Sequence, residues 1–377
     1  VIESHLAMRI ALICILFATQ MQLYISSIAR STATRFGFST ITPSTPVQGH
    51  KQVLFYYHEN YEINLPRMHR FPIKKYQSVR LLIQSEYEHQ NFVKFQRSEP
   101  VTREELAATH CYNYVEKYLS GNLTELEIRK QGFPWTDASV DRTLRIVGGT
   151  VSATRALFSN ASLMMSGNIA GGTHHAFYDY GEGFCIFSDI AVACNLALKE
   201  FPDQVERILI LDLDVHQGNG NAALFQHDPR VFTFSMHCRE NYFSAKQQSN
   251  IDIELDAGTG DEVYLSKLKT WLPYLFHAVK PQLVFYQAGV DIYEGDRLGK
   301  LKVTRAGLQK RNEMIYQAVS RRGIKCVVTM GGGYPKDLEP SSAPFQELTE
   351  NHADVYRQCI GICSPMIPGI ANDAHGC

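Results

Sequence analysis

No two of the nine cysteines in this 377-residue chain form a Cys-x-x-Cys pair, and several, such as Cys185 and Cys326, lie inside apolar runs. That argues against a disulfide framework and a thiolate zinc site, and for reduced thiols in a non-secretory compartment. Charge of one sign is equally lacking: 37 basic and 38 acidic residues leave a formal net charge of -1. Such a balance gives no overall field for DNA, RNA or an acidic membrane, so direct nucleic-acid binding is not indicated. No long Lys/Arg run offers a nuclear signal either.

Acidic residues are missing between Glu3 and Glu59, where Arg9, Arg30 and Arg35 stand among many Ser and Thr. That composition matches an organellar transit peptide, plastid or mitochondrial. The run 10–18 after Arg9 also fits the apolar centre of a secretory signal or, extended through 28, a marginal membrane anchor. We expect residues 1–50 to be a targeting presequence or disordered leader, with no stable membrane insertion once it is removed. A cytoplasmic or nuclear location is the alternative.

What is present is enough apolar residue, 45% of the chain, to build one large core. The Thr/Pro stretch 39–46 ends the leader, a single catalytic domain is expected over 51–366, and 367–377 should fray. Apolar runs at 53–57, 184–187, 208–211, 231–234, 283–286 and 326–330 predict strands. Between them lie helical spacings: Val140, Leu144, Val147 and Val151; Tyr264, Leu265, Leu268, Leu272 and Leu275, kinked or split at Pro273; and a helix from a Thr304 N-cap to a stop at Gly323. Strands alternating with such helices predict one α/β domain, a mostly parallel multi-stranded sheet with helices on both faces. Ligands then bind beyond the carboxyl ends of the strands. The oligomeric state has no signature in the sequence.

Chemistry gathers at those ends. Residues 208–216 read as four aliphatics followed by Asp212, Asp214 and His216 at alternate positions. Three ionisable groups on one face are costly to desolvate unless they bind a cation or one another, and mixed oxygen and nitrogen donors suit zinc. A strand-end Asp pair that merely caps a turn is the bland counterpart. Residues 171–175 (Gly-Gly-Thr-His-His) place His174 and His175 in a loop open to close approach, 287–291 end on Asp291, and 331–334 (Gly-Gly-Gly-Tyr) end on Tyr334. Each of these alone has an ordinary structural explanation.

Together, in this order, the four segments resemble the histone deacetylase family of the arginase and deacetylase superfold. The match runs from 65–72 to the helix around His352 and is closest to class IV and bacterial-like members, which share the run 212–220. The resemblance implies that Asp214, His216 and Asp291 ligate one zinc ion. Asp212 would orient His174, and potassium is implied at the backbone of Asp212, Asp214 and His216 with Ser235 and Met236. Gly183, Phe184, Gly332 and Phe243, or its neighbour Tyr242, would border the acyl-lysine. The implied reaction is zinc-dependent hydrolysis of N-acyl-lysine in proteins.

On that resemblance Tyr334 would donate to the oxyanion, a contribution of ~3 to 4 kcal/mol for one such donor. His175 would serve as base and then acid, with His174 the charged partner. Many family members carry Asp where this chain has Asn219, so His175 would be oriented by an amide. The expected result is a lower histidine pKa, and Asn219→Asp should move the acidic limb of activity upward. A binuclear, arginase-like hydrolase would need carboxylates at Gly218 and Gly289. Acetylpolyamines or other small acylamides are the alternative substrates, and a catalytically silent scaffold is the remaining alternative.

Overall fold

Eight strands lie side by side and all in parallel, in the order Val93–Arg97, Gln52–Tyr57, Leu163–Asn168, Lys325–Thr329, Leu283–Gln287, Ile208–Asp212, Val231–Cys238 and Ile251–Leu255. The computed structural model describes residues 52–364 apart from 60–62, 67, 242 and 243. The expected leader, the whole of the expected tail, and Tyr242 and Phe243 lie outside the described residues. The strands are β1 Gln52–Tyr57, β2 Val93–Arg97, β3 Leu163–Asn168, β4 Ile208–Asp212, β5 Val231–Cys238, β6 Ile251–Leu255, β7 Leu283–Gln287 and β8 Lys325–Thr329. In β3, β4 and β7 every residue is buried, as a sheet covered on both faces requires.

The helices among the described residues are α1 Lys75–Tyr87, α2 Arg103–Ala107, α3 Tyr112–Leu119, α4 Glu125–Gln131, α5 Asp137–Ser159, α6 Asp189–Glu200, α7 Asn219–Phe225, α8 Asp261–Val279, α9 Arg305–Ser320 and α10 Ala343–Cys363. They pack as two sets, α1 with α8, α9 and α10, and α2 and α3 with α5, α6 and α7. Both α5 and α10 also touch β1 and β3. This is the expected α/β architecture.

Several boundaries need a physical account. Thr304 caps α9 by accepting from the Gly307 amide, as expected, and Gly323 has φ +63, three residues beyond the last helical one. Pro273 sits inside α8 without splitting it. The strand expected at 184–187 is not one. Glu182 and Cys185 form an isolated antiparallel bridge, and Gly183 (φ 57) and Phe184 (φ 66) turn left-handed between them, which no strand permits. Three strands escaped the pattern. β2 and β6 are sheet edges with polar alternation, and β3 (LMMSGN) contains no β-branched residue. Its Gly167 is required because a Cβ there would meet a Val328 methyl on β8 at 2.5 Å.

The strand order places the chemistry. β3, β8, β7 and β4 are consecutive in the middle of the sheet, and each leads from its carboxyl end into one of the four marked segments. The chain reaches β4 from β3 only by passing over β8 and β7, which makes the change of direction at which such sheets bind ligands.

Candidate active site

At the end of β4 the alternation of the strand turns Asp212 and Asp214 toward partners from neighbouring strands. Asp214, His216 and Asp291 are buried, and one donor atom from each lies within 4.8 Å of the others. His216 Nδ1 stands 3.2 Å from both Asp214 Oδ1 and Asp291 Oδ2. Backbone amides fix the carboxylates: Val215 donates to Asp291 Oδ1 at 2.9 Å and Gly332 donates to Asp214 Oδ2 at 2.8 Å. Asp291 Oδ2 is buried and accepts no hydrogen bond. Burial, then the charge of Asp214, pushes the Asp291 carboxyl up to about 6. Burial pulls His216 down, but its close contacts with Asp214 and Asp291 outweigh it and bring the imidazole to about 10. Two carboxylates and an imidazole forced together in this way, with one carboxylate oxygen lacking a hydrogen bond, fit a divalent ion such as zinc.

Among the described residues this is the one group of side chains that could hold such an ion. A Cβ at Gly289 would meet Asp214 Oδ2 at 2.2 Å, and one at Gly218 would meet Asp212 Oδ2 at 2.2 Å. Glycine at both positions leaves no carboxylate where a second metal would need one. Gly332 is constrained likewise, its added Cβ falling 2.0 Å from Asp291 Oδ2.

The two histidines have different partners and opposite electrostatics. Asp212 Oδ2 lies 2.7 Å from His174 Nδ1, and Asn219 Oδ1 lies 2.7 Å from His175 Nδ1. Burial lowers His174, yet the charges of Asp212 and Asp214 overcome it and hold the ring at about 9. Burial, then the charges of His174 and His216, keeps His175 well below the usual histidine range. At neutral pH His174 is a cation and His175 a neutral base.

A cavity of about 660 Å³ opens onto this cluster, lined by His175, His216, Tyr334, Gly183 and Phe184, with Arg70, Arg129, Lys130, Lys300, Glu182 and Glu240 among its charged residues. Phe184 forms one wall with Phe71, Phe133 and His69, at ring separations of 5.1, 5.5 and 5.6 Å. Phe243 and Tyr242 lie outside the described residues; their neighbours in sequence, Asn241 and Ser244, line the cavity. Asp212 and Ser235 are register partners on β4 and β5, with Met236 buried next to them.

Three residues that sequence reasoning passed over support this arrangement. Lys75 is buried in α1, and its ammonium donates to the Gly331 carbonyl at 2.9 Å and stands 5.6 Å from the Tyr334 ring centre. Burial lowers it to about 8. Asp296 accepts from the Tyr334 amide at 2.7 Å and fixes the backbone that presents the phenol. Arg311, fully buried, donates to the carbonyls of Ala288 and Gly289 at 3.2 and 2.6 Å, just before Asp291. None had a local signal, since Lys75 follows Lys74 in what reads as a surface turn and the others lie in a loop or on a helix.

A parallel α/β sheet with this set at the carboxyl edge is the arginase and deacetylase fold. The crystal structure of the HDA15 HD domain superposes with a TM-score of 0.66 at 19% identity, over 83% of this chain and 94% of that one. Residues 69–345 match the histone deacetylase domain. The chain belongs to the histone deacetylase family and is a deacetylase-type hydrolase. It is 41% identical to an uncharacterized protein of Picosynechococcus sp. over 80% of this chain and 98% of that protein. It is 36% identical to histone deacetylase 2 of Arabidopsis thaliana over 50% of this chain and 49% of the relative, about half its length. The acetoin utilization protein AcuC of Staphylococcus aureus is 30% identical over 62% of this chain and 64% of its own. Among the described residues, no helix is long and apolar enough to cross a membrane.

Proposed function

We propose that the chain hydrolyses the amide bond of N-acyl-lysine in proteins, acetyl or longer acyl, with one zinc ion held by Asp214, His216 and Asp291. The observation that supports this best is that His175, His216 and Tyr334 line one cavity, with Asp214 and Asp291 clustered on His216 and His174 packed beside His175. Zinc there supplies Lewis acidity, polarising the acyl carbonyl and making a water nucleophilic near neutral pH.

The chain's own residues do the rest. Since Nδ1 of His175 is paired with Asn219, Nε2 is the ring nitrogen that accepts the water proton as the oxygen attacks. Tyr334 donates to the oxyanion, and the His174 cation lowers the energy of the same negative charge. As the carbon–nitrogen bond breaks, His175 returns its proton to the leaving lysine amine. The products are the released carboxylate and the lysine residue with its side-chain amine restored. A potassium ion at Asp212, Asp214, His216, Ser235 and Met236 belongs to the same proposal, supported by the pairing of Asp212 with Ser235.

Four cations and two carboxylates among the charged cavity residues disfavour a polycationic amine, which sets acetylpolyamines behind acyl-lysine. The test is turnover of acetyl-lysine peptide, fatty-acyl-lysine peptide and acetylpolyamine by the purified chain, with and without a zinc chelator. We expect peptide hydrolysis that chelation abolishes and added zinc restores. Hydrolysis that persists without metal, or a preference for the polyamine, overturns the proposal.

A further inference from the structure

Behind His175 stands a second carboxylate, one amide removed. Glu182 is buried, although it lies between Gly181 and Gly183 in the loop that carries Phe184. Its Oε1 accepts from Asn219 Nδ2 at 3.2 Å. Its Oε2 accepts from the Ser244 hydroxyl at 3.0 Å and lies 3.5 Å from the Lys130 ammonium. Lys130 in turn stands 3.5 Å from the centre of the Tyr180 ring. A buried carboxylate with donors on both oxygens is a fixed acceptor.

That acceptor decides which way Asn219 faces. A carboxylate cannot donate, so the amide must turn its NH2 toward Glu182. On the other side the Gly220 amide donates to Asn219 Oδ1 at 3.0 Å, and a backbone N–H can meet only the oxygen. The amide is therefore held in one orientation from both ends. Its oxygen then requires His175 Nδ1, 2.7 Å away, to carry a proton, which makes Nε2 the unprotonated nitrogen of a neutral ring that lines the cavity. We infer that Glu182 is a positioning residue that sets the His175 tautomer through Asn219. The inference deepens the deacylase reading above and rests on it for its kinetic consequence.

It also corrects the expectation for Asn219→Asp. With Glu182 in place, an aspartate at 219 would press two carboxylates together in a buried site, and the loss of the amide donor would remove the hydrogen bond to Glu182 Oε1. The substitution should therefore impair turnover before it can shift any pH limb. Restoring a donor with Glu182→Gln should relieve it.

The experiment combines kinetics on an acyl-lysine peptide with 15N long-range correlation spectra of the His175 ring in the full chain. It compares the parent protein with Glu182→Leu, Glu182→Gln, Asn219→Asp and the Glu182→Gln/Asn219→Asp double variant. The parent should show the Nδ1–H tautomer. Glu182→Leu should populate the other tautomer and lose kcat by on the order of 10²-fold with KM little changed, since a wrongly protonated catalytic histidine is costly. Glu182→Gln should lose less, because its amide can still accept. Asn219→Asp alone should be weaker than the double variant. Glu182→Leu within threefold of the parent in kcat, an Asn219→Asp defect that Glu182→Gln leaves unrelieved, or an Nε2–H tautomer in the parent overturns the inference. A parent that turns over no acyl-lysine defeats the functional reading alone, and the spectra still decide the relay. If Glu182→Leu does not fold, the Asn219 pair and the parent spectrum decide it.

Discussion

Removing the Tyr334 hydroxyl separates catalysis from folding more cleanly than any other change at this site. The ring is packed among Phe71 and Phe184, 6.4 and 6.3 Å between centres, and under the Lys75 ammonium. Its backbone is pinned independently of the side chain, by Asp296 on its amide and by the Arg297 amide, which donates to its carbonyl at 2.8 Å. Tyr334→Phe keeps every one of these contacts and deletes a single oxygen. Burial, then the charges of Asp291 and Asp214, holds the phenol well above its usual pKa, so it is a full hydrogen-bond donor throughout any practical assay range. One oxyanion donor contributes about 3 to 4 kcal/mol, equivalent to roughly 10²–10³ in kcat. Steady-state turnover of an acyl-lysine peptide should fall by that factor while KM, zinc content and thermal midpoint stay near the parent's. Turnover within tenfold of the parent, in a protein of unchanged stability, would refute the role assigned to the hydroxyl. A scaffold without catalysis would show no turnover in the parent and unchanged partner binding in the variant.

Asp212→Asn deletes the charge that lifts His174 to about 9 against burial. The cation is present below that pKa and lost above it, so the alkaline limb of kcat should move to lower pH in the variant; a limb that stays fixed sinks the assignment of His174. Gly289→Ala would place a Cβ 2.2 Å from Asp214 Oδ2 and 3.0 Å from Asp214 Cα, the second of which no rotamer change can relieve. Metal analysis should find the variant deficient in zinc, and full stoichiometry would contradict the single-site geometry. At Gly361, in the last turn of α10, an added Cβ meets nothing within 4 Å. There the same substitution should stabilise by about 0.5–1 kcal/mol, read as a raised thermal midpoint.

How much of this was legible in the sequence depended on whether the signal was local. β4 announces itself because four aliphatics and two alternating carboxylates are contiguous, and the glycines at 218, 289 and 332 mark where backbone must approach a carboxylate. The strand pattern failed at 184–187 because apolar composition cannot report φ, and Phe184 is apolar for the sake of a cavity wall, in a left-handed turn. β3 failed for the opposite reason, being chosen for fit against β8 through Gly167 and not for β propensity.

The residues that hold the reacting groups in place were least visible, and the reason is physical. Lys75, Glu182 and Asp296 act across chain separations that no window of sequence spans: Lys75 reaches a carbonyl 256 positions away, and Glu182 reaches an amide 37 positions away. A charged side chain in a glycine-flanked loop or beside another lysine has the local statistics of solvent exposure. Only the sheet order, which stacks the carboxyl ends of β3, β8, β7 and β4, makes burial of those charges affordable by giving each one fixed partners. Such partners decide protonation. Asp212 opposite His174 makes a cation, whereas His175, opposite an amide itself oriented by Glu182, has no carboxylate partner to offset burial and the charges of His174 and His216 and stays a neutral base. The acid–base asymmetry of two adjacent, chemically identical residues thus arises from groups one contact further out.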